Sequence, residues 1–175
     1  MVQGWHFHSI TFYSKENNLR FTLIKDLKKD KGMKPVLTGL VLFIILYILA
    51  DFAVKHSSIG LFSDSLILTL LGNADEFLDP ISKSSFLELI HAEIFFLMMI
   101  LLTLSAVFIR LNSSKRFSLL ILNLTMMGAI ISLLSLGLSY FVSISFIHIY
   151  VVSFFIWHFG ALYMSILSFW RLHND

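Results

Sequence analysis

Two carboxylates and a histidine stand at the start of a long apolar segment, in the stretch ELIHAEIFF. They are Glu88, His91 and Glu93. Ionisable side chains inside a membrane are costly, so they usually face the protein interior and mark ligand or proton sites. Other apolar segments carry three further residues of this kind: Asp51, His148 and His158.

Two of the histidines suit axial ligation of a b-type haem. His91 and His148 are expected near the same end of different helices, and two neutral imidazoles at matching depth in a four-helix bundle could ligate this cofactor. We therefore predict His91 and His148 as cofactor-binding residues of an electron-transfer subunit. The sequence offers no arginine near them to pair with the haem propionates, which counts against this assignment.

The same region also suits a divalent metal ion or a proton site. Mixed carboxylate and imidazole ligands are typical of zinc, iron or manganese sites. The candidate ligands come from three predicted helices: Asp51, Glu88, His91 and His148. A metal-bound water could act in hydrolysis with Glu88 or Glu93 as the base. The chain has no HExxH or comparable signature, so enzymatic activity stays an open question.

A third interpretation needs no cofactor. Asp51 would pair with Lys55, four residues later on the same helix. Glu88 and Glu93 would lie in the headgroup region, where a helix N-terminus favours negative charge. His158 would form a hydrogen bond with a hydroxyl group of another helix. The protein would then be a non-catalytic accessory or assembly subunit of a larger membrane complex.

The composition indicates which environment surrounds these residues. The 175 residues are 57% hydrophobic and 14% charged, with a mean hydropathy of +0.84, which is too apolar for a soluble domain. A membrane-spanning helix needs about 20 predominantly apolar residues. Four segments meet this requirement: residues 35–54, 86–109, 117–138 and 144–170. We predict an all-α integral membrane protein, an antiparallel bundle of four transmembrane helices.

The first outer loop, residues 55–85, contains a short amphipathic segment, SDSLILTLLGN. Ser63 is placed to cap a helix there, and Gly72 is placed to end it. One broad face of this helix would carry Leu66, Ile67, Leu70 and Leu71. We therefore predict a short interfacial helix that lies along the membrane surface.

The positive charges predict the orientation of the bundle. Seven Lys and Arg residues precede the first helix, three lie between the second and third helices, and one follows the fourth. Only Lys55 and Lys83 fall on the other side. The positive-inside rule then places both termini in the cytoplasm, with the helices in the inner (plasma) membrane. We expect membrane lipid and partner membrane-protein subunits as binding partners, and no nucleic acid.

Residues 1–33 differ from the rest of the chain and are expected to form a cytoplasmic N-terminal segment, while residues 34–175 form the transmembrane domain. The β-prone runs WHFHSITFYS and LRFTLI, separated by KENN, predict a small hairpin. Met33 directly precedes the first apolar helix, so an over-extended reading frame explains residues 1–32 equally well. The chain has no cysteine, which excludes disulfides and thiolate metal ligands.

Overall fold

The computed structural model describes residues 32–74, 77–112 and 115–174. The N-terminal hairpin predicted from the sequence lies outside these residues. The described residues form five α-helices: α1 (Met33–Ser58), α2 (Ser63–Leu71), α3 (Lys83–Leu111), α4 (Lys115–Phe141) and α5 (Ile147–Asn174). A single 3-10 turn, Ile144–Phe146, leads into α5.

Helices α1, α3, α4 and α5 are each long and apolar enough to cross a membrane. The predicted all-α bundle of four membrane-spanning helices, with a short helix between the first two, is thus confirmed. The helices are longer than their apolar segments, because a helix continues into the polar interfaces on both sides of the hydrocarbon. The fourth span was predicted to begin at residue 144, but residues 144–146 form the 3-10 turn and α5 begins at Ile147.

Helices α4 and α5 form the most extensive helix–helix contact among the described elements. Small residues allow this close approach. A Cβ atom added to Gly160 on α5 would lie 2.2 Å from Oγ1 of Thr125 on α4, and one added to Gly128 would lie 3.1 Å from Cγ2 of Ile156. Lipid gives no hydrophobic drive for helix association, so van der Waals contact at small residues is what holds such a pair together.

Two buried hydroxyl groups on α5 form hydrogen bonds within their own helix. Ser153 donates to the carbonyl oxygen of Ile149 at 2.7 Å, and Ser165 donates to that of Ala161 at 2.8 Å. Lipid offers no hydrogen-bond partner, so a polar side chain inside the bundle must find one within the protein. Ser153 and Ser165 therefore have paired hydroxyl groups, whereas the buried Oγ of Ser168 on the same helix has no hydrogen-bond partner among the described residues.

Helix α2 packs against the end of the bundle. Leu66 and Leu70 are buried, so this face of the helix contacts the rest of the protein. That the helix lies along the membrane surface stays a prediction. Gly72 ends the helix as predicted, with a φ of +74° that favours glycine. Its N–H donates to the carbonyl oxygen of Leu68 at 2.8 Å.

The predicted cap at the start of α2 is wrong. Phe62 occupies the N-cap position and provides no side-chain hydrogen bond. Ser63 is the first helical residue, and its Oγ lies 3.0 Å from Nδ1 of His148. The serine therefore joins α2 to the start of α5.

Candidate functional site

Four ionisable side chains from three helices meet inside the bundle. Asp51 and Lys55 come from α1, Glu93 from α3 and His158 from α5. Their side chains are largely enclosed, with exposed fractions of 1% for His158, 6% for Lys55, 11% for Asp51 and 12% for Glu93. These four residues are called the charge cluster below.

Lys55 lies between the two carboxylates of the charge cluster. Its Nζ donates a hydrogen bond to Oε1 of Glu93 and lies 3.5 Å from Oδ2 of Asp51. Nζ also lies 5.0 Å from the ring centroid of Phe154, a distance at which an aromatic face attracts a cation. One ammonium group is therefore shared by two carboxylates and an aromatic ring.

His158 uses both of its ring nitrogens. Nε2 lies 2.9 Å from Oδ2 of Asp51, and Nδ1 lies 3.0 Å from the carbonyl oxygen of Phe154. A carbonyl oxygen can only accept, so a hydrogen bond at Nδ1 requires a proton on that nitrogen. A hydrogen bond between Nε2 and Oδ2 requires a second proton, on either atom. Two simultaneous hydrogen bonds would therefore require one proton more than a carboxylate beside a neutral imidazole carries.

Aromatic rings surround the imidazole of His158. The ring centroid of Phe52 lies 5.1 Å away in an edge-on arrangement, and those of Phe154 and Trp157 lie at 3.8 and 3.6 Å. These rings exclude water and keep the local dielectric low. Each charge–charge interaction of the cluster is consequently stronger than it would be in water.

Three residues predicted as site candidates belong to the charge cluster: Asp51, Glu93 and His158. The sequence predicted some of their partners and not others. The expected ion pair between Asp51 and Lys55 is present. Glu93, expected in the headgroup region, contacts Lys55 of α1. The expected hydroxyl partner of His158 is wrong, because its partner is a carboxylate.

Lys55 is the residue of the charge cluster whose second partner the sequence does not predict. The sequence indicates it only as the helix-end partner of Asp51, whereas it also joins α1 to α3 through Glu93. A lysine one turn from an aspartate at the end of an apolar helix indicates a buried cation, but it does not indicate Glu93 as the second carboxylate.

The other predicted ligands lie outside the charge cluster. Glu88, His91 and His148 have exposed side chains, so the expected arrangement of His91 opposite His148 in the interior is not adopted. In the part of the chain that the structure describes, no group of three or more His, Asp or Glu residues could hold a metal ion. Haem ligation by His91 and His148, or metal ligation by these residues with Asp51, stays a prediction without geometric support.

A family model described as a transmembrane helical domain matches residues 60–175. The chain belongs to this family, Aq_1264_TM. No curated protein and no solved structure matches the chain. The match to Aq_1264_TM begins just after α1, so it includes Glu93 and His158 but excludes Asp51 and Lys55. The charge cluster thus connects the Aq_1264_TM transmembrane domain to a helix outside the matched region.

Proposed function

We propose that this membrane protein is a proton-binding subunit whose site is the charge cluster. The observation that carries this proposal is the bonding of His158. Its two ring nitrogens face two oxygen atoms, a carbonyl of Phe154 and a carboxylate of Asp51, so the pair needs two protons to form both hydrogen bonds. Intramembrane carboxylate and histidine groups are the usual components of proton relays.

The formal charges of the cluster support the same proposal. Asp51 and Glu93 contribute two negative charges, and Lys55 contributes one positive charge. The additional proton of the Asp51–His158 pair makes the total zero. A net charge in a low-dielectric interior is strongly unfavourable, so the cluster is most stable with this proton bound.

Loss of the proton would change the positions of side chains. The proton leaves from between Nε2 of His158 and Oδ2 of Asp51, and a lone pair on the imidazole then faces a carboxylate. Their repulsion would favour a shift of Lys55 towards Asp51, from which its Nζ is 3.5 Å away. Proton exchange would therefore be coupled to the hydrogen bond between Lys55 and Glu93.

The experiment that tests this proposal is imidazole nitrogen NMR of the protein in lipid nanodiscs. The His158 signal, assigned by its loss in His158→Gln, should show the protonated Nδ1 and a proton shared by Nε2. Asp51→Asn should abolish the shared proton because the carboxylate is gone. Glu88→Gln is the matched control, since Glu88 is an exposed carboxylate outside the cluster, and it should leave the signal unchanged.

The functional measurement is proton flux into liposomes that contain the protein and a pH-sensitive dye. An imposed pH gradient should dissipate faster with the native protein and with Glu88→Gln than with Asp51→Asn. Equal flux in empty liposomes and in all three samples would show that the cluster does not carry protons across the membrane. If the NMR also shows no shared proton, the proposal is overturned, and the cluster acts only to hold α1, α3 and α5 together, as in a non-catalytic accessory subunit.

A further inference from the structure

An apolar groove runs along α3 and α4 on the side of the bundle open to lipid. It consists of two adjoining cavities of about 210 and 420 Å³, which share Ile94, Ile130 and Leu133. Every side chain that lines either cavity is apolar. An apolar cavity of about 150 Å³ is large enough for benzene, so each of these can accommodate a longer segment of hydrocarbon. It is called the α3/α4 groove below.

The groove exists because α4 presents small residues where it faces α3. Ala129 and Gly137 are two of its lining residues. A Cβ atom added to Gly137 would lie 3.8 Å from Cδ1 of Ile90, an ordinary van der Waals contact. The space beside Gly137 can therefore accommodate a Cβ atom without a clash, and a larger side chain would extend into the groove.

The length of the groove matches one leaflet of a bilayer. Along α3 it extends from Ile90 to Leu102, which is about 18 Å at the rise of an α-helix. Half of the hydrocarbon core of a membrane is about 15 Å thick. A single acyl chain could thus occupy the whole groove.

Polar residues stand at the end of the groove nearest to α2. Lys83 precedes Ile90 by seven residues, and His91 precedes Met98 by the same spacing, so both share a helix face with groove residues. Both side chains are exposed. An ammonium group and an imidazole N–H are donors that suit the oxygen atoms of a phosphate ester.

We propose that the α3/α4 groove binds one acyl chain of a membrane phospholipid, whose phosphate is held by Lys83 and His91. The apolar lining recognises the chain, and the two donors at one end recognise the headgroup. This site gives His91 a role that needs neither haem nor metal. The proposal is independent of proton binding at the charge cluster.

Photolabelling can test the site in nanodiscs doped with a phospholipid that carries a diazirine on its acyl chain. Mass spectrometry should locate adducts on residues 90–102 of α3 and 126–141 of α4. Gly137→Leu fills the groove and should reduce these adducts about tenfold, equivalent to about 1.4 kcal/mol of binding free energy. Gly39→Leu is the matched control, because a Cβ atom at Gly39 meets nothing within 4 Å. It should leave the adducts unchanged.

A second variant tests the headgroup contact. Lys83→Gln should lower the number of phospholipids retained per protein in native mass spectrometry, while a melting curve like that of the native protein shows that the fold is intact. The proposal would be overturned by adducts spread equally over α1 and the groove, or by adducts that Gly137→Leu leaves unchanged. It would also be overturned if Lys83→Gln retained as many phospholipids as the native protein. Cross-links to a second copy of the chain in place of lipid adducts would overturn it as well.

Discussion

Nε2 of His158 lies 2.9 Å from Oδ2 of Asp51, and this contact joins α5 to α1 across the interior of the bundle. The two residues are 107 positions apart in the chain. Their side chains are 1% and 11% exposed, so neither can replace its partner with bulk water. Removing one partner therefore leaves the other buried without a replacement for this contact.

His158→Leu should destabilise the protein by about 3 kcal/mol, because Asp51 loses its main partner while it remains buried. The double variant Asp51→Leu with His158→Leu should be more stable than His158→Leu alone, since it leaves the neutral pair of Lys55 and Glu93. Unfolding in mixed detergent micelles gives both free energies. If the loss of unfolding free energy in the double variant equals the sum of the losses in the two single variants, the pair is not energetically coupled.

Glu93→Gln should change the protonation of His158 even though the two side chains have no direct contact in the structure. The substitution removes one negative charge, so the cluster is neutral without the additional proton of the Asp51–His158 pair. Nitrogen NMR at the pH used for the native protein should then show a single ring proton on His158. Glu88→Gln serves as the control, and an identical His158 signal in both variants would exclude the charge-balance argument.

Gly160→Ala should weaken the contact between α4 and α5. The new methyl group would lie 2.2 Å from Oγ1 of Thr125, which forces the helices apart. A loss of about 1–3 kcal/mol is typical for overpacking of this kind. Adding Thr125→Ala should restore part of the stability because it removes the clashing oxygen. Gly39→Ala, which meets open space, should not destabilise the protein when melting temperatures are compared.

Cysteine labelling can test the predicted orientation, because the natural chain contains no cysteine. Ser84 and Asn174 have exposed side chains and are separated by three membrane-spanning helices. If both termini are cytoplasmic, an impermeant maleimide should label Ser84→Cys in intact cells and Asn174→Cys only after lysis. The reverse pattern would invert the predicted topology.

The fold could be predicted from the sequence because the bilayer sets a length that apolar segments must match. Four segments of this length define the four spans, and consecutive spans are antiparallel because each crosses the membrane in the opposite direction to the one before. Helix ends were less predictable, since hydropathy marks the hydrocarbon region and not the end of backbone hydrogen bonding. Residues 144–146 belong to the predicted span but form a 3-10 turn after Ser143, which illustrates this difference.

The site was harder to predict because the direction of a side chain depends on how the helices rotate against each other. His91 and His148 have suitable chemistry and depth, yet both are exposed. Glu93 and Lys55 contact each other, although nothing in their local sequences indicates that they are partners. Helical periodicity places residues on a face of one helix, but it does not say which neighbour that face meets.

The spacing of Asp51 and Lys55 also bears on how the chain enters the membrane. During synthesis α1 emerges before α3 and α5, so Glu93 and His158 are not yet available as partners. A lone Asp or Lys within a helix costs about 2.5–3.5 kcal/mol at the membrane centre during insertion. Because the two residues lie one turn apart on α1, each can neutralise the other before α3 and α5 are inserted. The ion pair would thus lower the free-energy cost of inserting α1 before the later helices pack against it.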